Sequence, residues 1–293
     1  MLYLLLLLMV FIWSANFIVA KFALQELPPF ALLFLRVFFS NLILLGLYFG
    51  SGRYRRRPIA RADWGWFALL GLCGIALNQT GFTVGIHYTT VSHSALIISL
   101  TPIFVLFLAT RMKLEALTAL KVGGTALSFV GVAILTLEHS AGPNGPTVRG
   151  DLITLGGAMA FALYTVFGKR VSRRYDTLSL TTFIYLAGFL VVIPLAGWQL
   201  FRVDWGQVSW RGWLGAFYMA AAASVTAYMI FYYALTKIDA SRVIAFSYLQ
   251  PVLATLLGIL ILGERLTPYL LTGGPLVLLG VYLLEWGRWR ARR

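Results

Sequence analysis

Ten long apolar runs follow one another along this chain, with only short connectors between them. They lie at about 2–23, 29–50, 64–86, 91–111, 118–137, 150–170, 177–198, 211–235, 241–262 and 268–287. About 20 apolar residues in a helix cross the roughly 30 Å hydrocarbon layer of a bilayer. Inside that layer every backbone N–H and C=O must be paired by the protein, which leaves helices or closed barrels. Barrel strands alternate polar and apolar residues, whereas these runs are continuous. The sequence therefore predicts an all-α integral membrane protein with ten transmembrane helices and no separate soluble domain. Only 12% of residues are charged and 60% are hydrophobic, against about 25% charged in soluble domains.

The charge pattern orients the spans. With the N-terminus inside, 18 of the 24 Lys and Arg fall in inside segments and 4 in outside segments, with Lys21 and Arg36 within spans. Such a bias predicts both termini in the cytoplasm, and the expected location is the inner (plasma) membrane of a bacterial cell. Basic residues placed between spans also explain the net charge of +14 without nucleic acid as a partner. The first run lacks a basic leader segment and a small-residue cleavage site, so it reads as a retained span. Eight of nine tryptophans, among them Trp64, Trp66, Trp198 and Trp213, fall at span ends, where interfacial belts form; Trp13 does not. Cys73 is the only cysteine, so no intrachain disulfide can form and no cysteine zinc motif exists.

The chain also repeats itself at an offset of 149 residues. Between 90–135 and 239–284 twelve positions are identical, among them Ser92/Ser241, Pro102/Pro251, Glu115/Glu264, Thr118/Thr267, Gly124/Gly273 and Gly131/Gly280. Each unit holds five spans. Five is odd, so the second unit enters the membrane from the other side, which makes residues 1–140 and 141–293 two inverted repeats. That architecture accompanies alternating access.

Pro102 and Pro251 sit near the middle of spans 4 and 9 and are read as hinge or kink positions. Each displaces the carbonyl four residues earlier, that of Ile98 or Ser247. In lipid such a carbonyl needs a partner. Two readings stand: kinks framing a wet central cavity, or packed kinks whose carbonyls are taken by Ser or Thr. Thr118 and Thr267 suit helix N-caps, and Pro268 suits a first helical position. The repeated Glu-x-Leu-Thr turns have structural duty as their first reading. Gly123, Gly124, Gly131, Gly273, Gly274 and Gly280 would permit close helix contact, as would the small residues Ala220 to Ser224.

These features resemble the drug/metabolite transporter superfamily, EamA type, across the whole chain. The resemblance rests on two five-helix halves, Trp13-Ser14-Ala15-Asn16 with Lys21 after it, and the Pro…Glu-x-Leu-Thr turn in each half. The match is fullest at Gly263-Glu264-Arg265-Leu266-Thr267; the first half departs with Leu114 where glycine is usual. The resemblance implies export or facilitated exchange of small metabolites, often amino acids. It also implies a central cavity walled by spans 1, 3, 4, 6, 8 and 9.

Polar side chains buried in lipid-spanning segments are costly and mark functional sites. The candidates are Trp13 and Asn16 in span 1, Arg36 in span 2, Asn78 and Gln79 in span 3, Ser94 and Thr101 in span 4, and Tyr164 in span 6. Ser224, Tyr228 and Tyr232 form an i, i+4, i+8 stripe in span 8, and Ser247 and Gln250 are i, i+3 in span 9, just before Pro251. Interhelical hydrogen bonding is the competing reading for each. Trp13 is a stacking platform or core, and Arg36 and Lys21 face substrate or snorkel to the outer interface. All ten carboxylates fall in connectors or near span ends. Intramembrane carboxylates are the usual proton relays and counter-ions for cations, so an anionic or zwitterionic substrate suits this chain better.

The resulting expectation is a secondary transporter, exporter or exchanger, of small polar metabolites, with amino acids first. A multidrug or organic-cation exporter of the same fold is the alternative. A membrane enzyme acting on lipid-linked substrates is distant, because the loops are short and no His-Glu or Asp-rich cluster appears. No catalytic residue, metal ligand or cofactor is expected. The partners are a small-molecule substrate and membrane lipids, and the oligomeric state stays open, a monomer included.

Overall fold

The computed structural model describes residues 1–51, 59–111, 118–137, 146–238, 243, 246 and 249–290. Within them lie helices α1 (Leu2–Ala23), α2 (Pro29–Gly50), α3 (Arg61–Tyr88), α4 (Val91–Ile98), α5 (Thr101–Arg111), α6 (Ala119–Thr136), α7 (Val148–Val171), α8 (Thr177–Leu200), α9 (Trp210–Lys237), α10 (Leu249–Leu262) and α11 (Pro268–Arg290). No strand occurs among the described residues. Seven helical stretches are long and apolar enough to cross a membrane, and α6, α10 and α11 carry shorter apolar stretches where spans 5, 9 and 10 were expected. Helices α4 and α5 are one span broken at Ser99 and Leu100.

Hydrogen bonds between helix ends sort into two faces of the bundle. On one face Arg174 and the Tyr175 hydroxyl donate to Asp63 at 2.8 and 2.7 Å, joining the start of α3 to the α7–α8 turn. Burial first, then the bond to Asp63, holds the Tyr175 phenol above the usual tyrosine range. The Lys169 ammonium donates there to the carbonyls of Leu235 and Ile238, closing the end of α9. On the opposite face Ser209 N and Oγ donate to Glu26 at 2.7 and 2.8 Å, and Phe30 N donates to Gln199 Oε1 at 2.8 Å. The chain start α1 and the repeat start α7 thus begin on opposite faces. The Ala60 N–H bond to the Tyr175 hydroxyl recurs on the far face as the Ser209 N–H bond to Glu26, with both residues displaced by 149 positions.

The turn after α10 gives the Glu-x-Leu-Thr sequence a second job. Gly263 takes φ +67°, the left-handed conformation that costs glycine little, and Glu264 N–H reaches back to the Gly258 carbonyl. That is the pattern of a helix C-terminus closed by glycine. The Glu264 carboxylate then accepts from Val91 N–H at 2.6 Å, Ser92 N–H at 3.1 Å and Ser92 Oγ at 2.5 Å. It caps the N-terminus of α4, where negative charge is favoured. This explains why Ser92 and Glu264 both belong to the repeat; Glu115 and Ser241 lie outside the described residues. Thr118 and Thr267 cap α6 and α11 as expected, accepting from Lys121 N–H and Leu270 N–H.

Helices α6 and α11 pack through glycine as the spacing predicts. A Cβ on Gly131 would lie 2.7 Å from the Gly273 carbonyl, and one on Gly280 would lie 2.4 Å from the Gly124 carbonyl. Gly123 departs from the expectation, because a Cβ there would meet nothing within 4 Å. It faces away from the α11 contact.

Candidate functional site

The centre of the bundle holds a cavity of about 700 Å³ of atom-free space, part of it open to solvent. Its wall is built by Trp13, Asn16 and Phe17 of α1, Arg36 of α2, Asn78 and Phe82 of α3, Phe161 of α7, Tyr228 of α9 and Gln250 of α10. The α4–α5 break adds Ile98, Ser99, Thr101 and Pro102. Apart from α2, these are the spans that the family resemblance implied.

At the break the freed carbonyls find hydroxyl partners within the chain. Pro102 cannot donate to Ile98, so the Thr101 hydroxyl takes the Ile98 carbonyl at 2.7 Å, and Ser99 Oγ takes the Leu96 carbonyl at 2.6 Å. The kink is satisfied from within and still forms part of the cavity wall. Pro251 is buried in the first described turn of α10 and is not part of that wall.

Arg36 is the one charged side chain among the described wall residues. It is 3% exposed, so it does not snorkel. Its Nε donates to Ser224 Oγ at 2.8 Å, and its guanidinium carbon sits 5.6 Å from the Phe82 ring centroid. Its Nη1 is buried with no hydrogen-bond partner. Asn16 Oδ1 is likewise buried and unsatisfied. Asn78 is committed on both ends, donating to the Gly157 carbonyl at 3.1 Å and accepting from the Tyr228 hydroxyl at 3.0 Å.

Trp13 is packed into the core and also reaches the cavity wall. Its Nε1 donates to the Ala223 carbonyl at 3.0 Å, its ring meets Phe161 and Tyr228 edge to face, and it faces the cavity. Beside these rings, Tyr164, Phe231 and Tyr232 form an aromatic plug, with Tyr164 and Tyr232 centroids 5.4 Å apart. Gly74 makes room for Tyr164, since a Cβ there would lie 2.1 Å from that ring.

Of the residues singled out from the sequence, the cavity gathers Trp13, Asn16, Arg36, Asn78, Thr101, Tyr228 and Gln250. Gln79 stands behind it, donating to the Tyr185 hydroxyl at 2.9 Å. Ser224 holds Arg36 instead of facing the cavity, Tyr164 and Tyr232 belong to the plug, and Ser94 is fully buried away from the wall. Ser247 lies outside the described residues. The sequence reading missed Phe17, Phe82, Phe161, Ile98, Ser99 and the supporting Tyr185. The repeat offers one signal for Tyr185: it stands 149 positions after Arg36, as Tyr228 stands after Gln79. The Tyr185 and Tyr228 rings lie 5.7 Å apart.

Comparison with known proteins adds four findings. The model of the EamA-like transporter family matches residues 1–137 and 148–286. A protein of Archaeoglobus fulgidus named an uncharacterized transporter is 31% identical over 287 residues, covering 96% of both chains. A protein of Salmonella typhimurium named a probable amino-acid metabolite efflux pump is 26% identical, over 98% of this chain and 95% of its own. A protein of known crystal structure shares the fold at a TM-score of 0.68, with 18% identity over 99% of this chain and 98% of that one.

Proposed function

Because the chain belongs to the EamA-like transporter family, we propose that its cavity carries small metabolites bearing a carboxylate, amino acids first, out of a bacterial cell across the inner (plasma) membrane. It is a transmembrane transporter and not an enzyme. The observation that carries the substrate reading is Arg36: a buried guanidinium in the cavity wall with a terminal nitrogen lacking any protein partner. A buried cation is stable only when paired, and no carboxylate stands among the described wall residues. A substrate carboxylate would complete the site, with Asn16 and Gln250 available to its polar groups and the rings of Trp13, Phe17, Phe82, Phe161 and Tyr228 to its apolar body. The name of the Salmonella relative supports the same class.

In this reading the halves 1–140 and 141–293 rock against each other around a fixed central site, with both termini in the cytoplasm. An organic cation finds no counter-ion among the described wall residues, which disfavours the multidrug alternative. The test is counterflow by purified protein in liposomes, with a panel of the twenty L-amino acids, small organic acids and organic cations. Saturable exchange of an amino acid or organic acid is expected. Exchange of cations alone refutes the substrate reading.

A further inference from the structure

Arg36 touches the cavity with one part of its guanidinium and the wall behind it with another. Its Nε is held by Ser224 Oγ at 2.8 Å. Ser224 is fully buried and lies in Met219–Thr226, a π-helical stretch inside α9. There backbone hydrogen bonds reach five residues instead of four, a wide turn frequent at functional sites. The Thr226 hydroxyl also donates to the Ala221 carbonyl five residues back, at 2.9 Å.

Helix α3 carries a matching π stretch at Gly71–Leu77, within a residue of the same 149-position offset. Each stretch leads at once to a residue of the cavity wall. Asn78 follows the first directly, and Tyr228 follows the second after Ala227; these two residues are hydrogen-bonded to each other at 3.0 Å. Two wide turns, one from each half of the chain, therefore meet at the cavity, and one of them holds the side chain that would meet the substrate's charge.

We propose that Ser224 is a positioning residue for transport: it aims Arg36 at the substrate carboxylate and ties that contact to the π stretch of α9. Before substrate arrives, Ser224 is the recorded hydrogen-bond partner of the guanidinium. When a carboxylate engages the guanidinium, the pull on Arg36 passes through Nε to Ser224 and to a turn that has a regular α-helical alternative. The inference rests on the carboxylate reading above.

The test uses the full chain in liposomes and three variants: Ser224→Ala, Ser224→Thr and deletion of Ala221. The probe is the best-exchanged of the twenty L-amino acids, set in competition against its own α-amide, which lacks the carboxylate. Losing one hydrogen bond to a charged group shifts affinity by about tenfold or more. Ser224→Ala is therefore expected to cut the preference for acid over amide by about tenfold and to lower the maximal exchange rate of the acid. Ser224→Thr, which keeps the hydroxyl, restores the preference. Deleting Ala221 removes the extra residue of the wide turn while keeping the ends of α9 in register; the amino acid still raises the melting temperature, and exchange is lost. An unchanged preference in Ser224→Ala, or an equal loss for acid and amide, overturns the proposal, as does wild-type exchange by the deletion variant. If the deletion variant does not fold, the Ser224 pair decides. A wild-type protein that exchanges neither an amino acid nor an organic acid refutes the carboxylate reading and this inference with it.

Discussion

Replacing Arg36 by methionine separates a transport residue from a structural one, because the two roles predict opposite signs. Burying a cation costs several kcal/mol even after relaxation. Against that stands one hydrogen bond to Ser224, worth about 1.5–3 kcal/mol for a charged donor. The Phe82 ring at 5.6 Å adds up to about 2 kcal/mol when desolvated. These terms nearly cancel in the empty protein. Methionine fills the same slot without a charge, and Ser224 can turn to a carbonyl of its own helix. Thermal unfolding without substrate should therefore show Arg36→Met as stable as wild type, or more stable by up to about 2 kcal/mol. Exchange should collapse: two charge-assisted bonds to a carboxylate together supply about 3–4 kcal/mol, or two to three powers of ten in half-saturating concentration. The reasoning is refuted if the variant loses about 3 kcal/mol of stability, as for a broken buried ion pair, while exchange persists.

Three further outcomes follow from the packing. Gly131→Ala puts a Cβ 2.7 Å from the Gly273 carbonyl and 2.8 Å from Val277, so α6 and α11 must part, at a cost of about 1–3 kcal/mol in a melting assay. Gly123→Ala meets nothing within 4 Å and should instead stabilise by about 0.5–1 kcal/mol through helix propensity; equal effects at the two sites would contradict the assigned contact. Glu264→Gln keeps one acceptor oxygen but sets an amide donor against the other of the Val91 and Ser92 N–H groups, and should cost about 1–2 kcal/mol in the same assay, whereas a neutral result would deny the cap on α4.

The sequence disclosed the spans because lipid admits few alternatives, and it disclosed the α4–α5 break because Pro102 cannot donate. It located Arg36, Asn16 and Asn78 because polar atoms stand out in apolar runs. It could not single out Phe17, Phe82 and Phe161, since an aromatic ring in an apolar span looks alike whether it faces lipid, core or cavity. The π stretches left no compositional mark. They also set Ser224 apart from the tyrosines that follow. The wide turn lies between Ser224, which reaches Arg36, and Tyr228, which reaches Asn78; Tyr232 follows one regular turn later, and both tyrosine rings meet Tyr164. Glu264 read as a turn residue because its partners, Val91 and Ser92, lie more than 170 positions earlier.

The most direct measurement of the central claim is competition for exchange in liposomes among amino acids, their α-amides and the corresponding decarboxylated amines. If Arg36 receives a carboxylate, acids compete and both neutralised series fail, and Arg36→Met erases the difference. Amines or amides competing as well as acids in the wild-type protein would contradict the account.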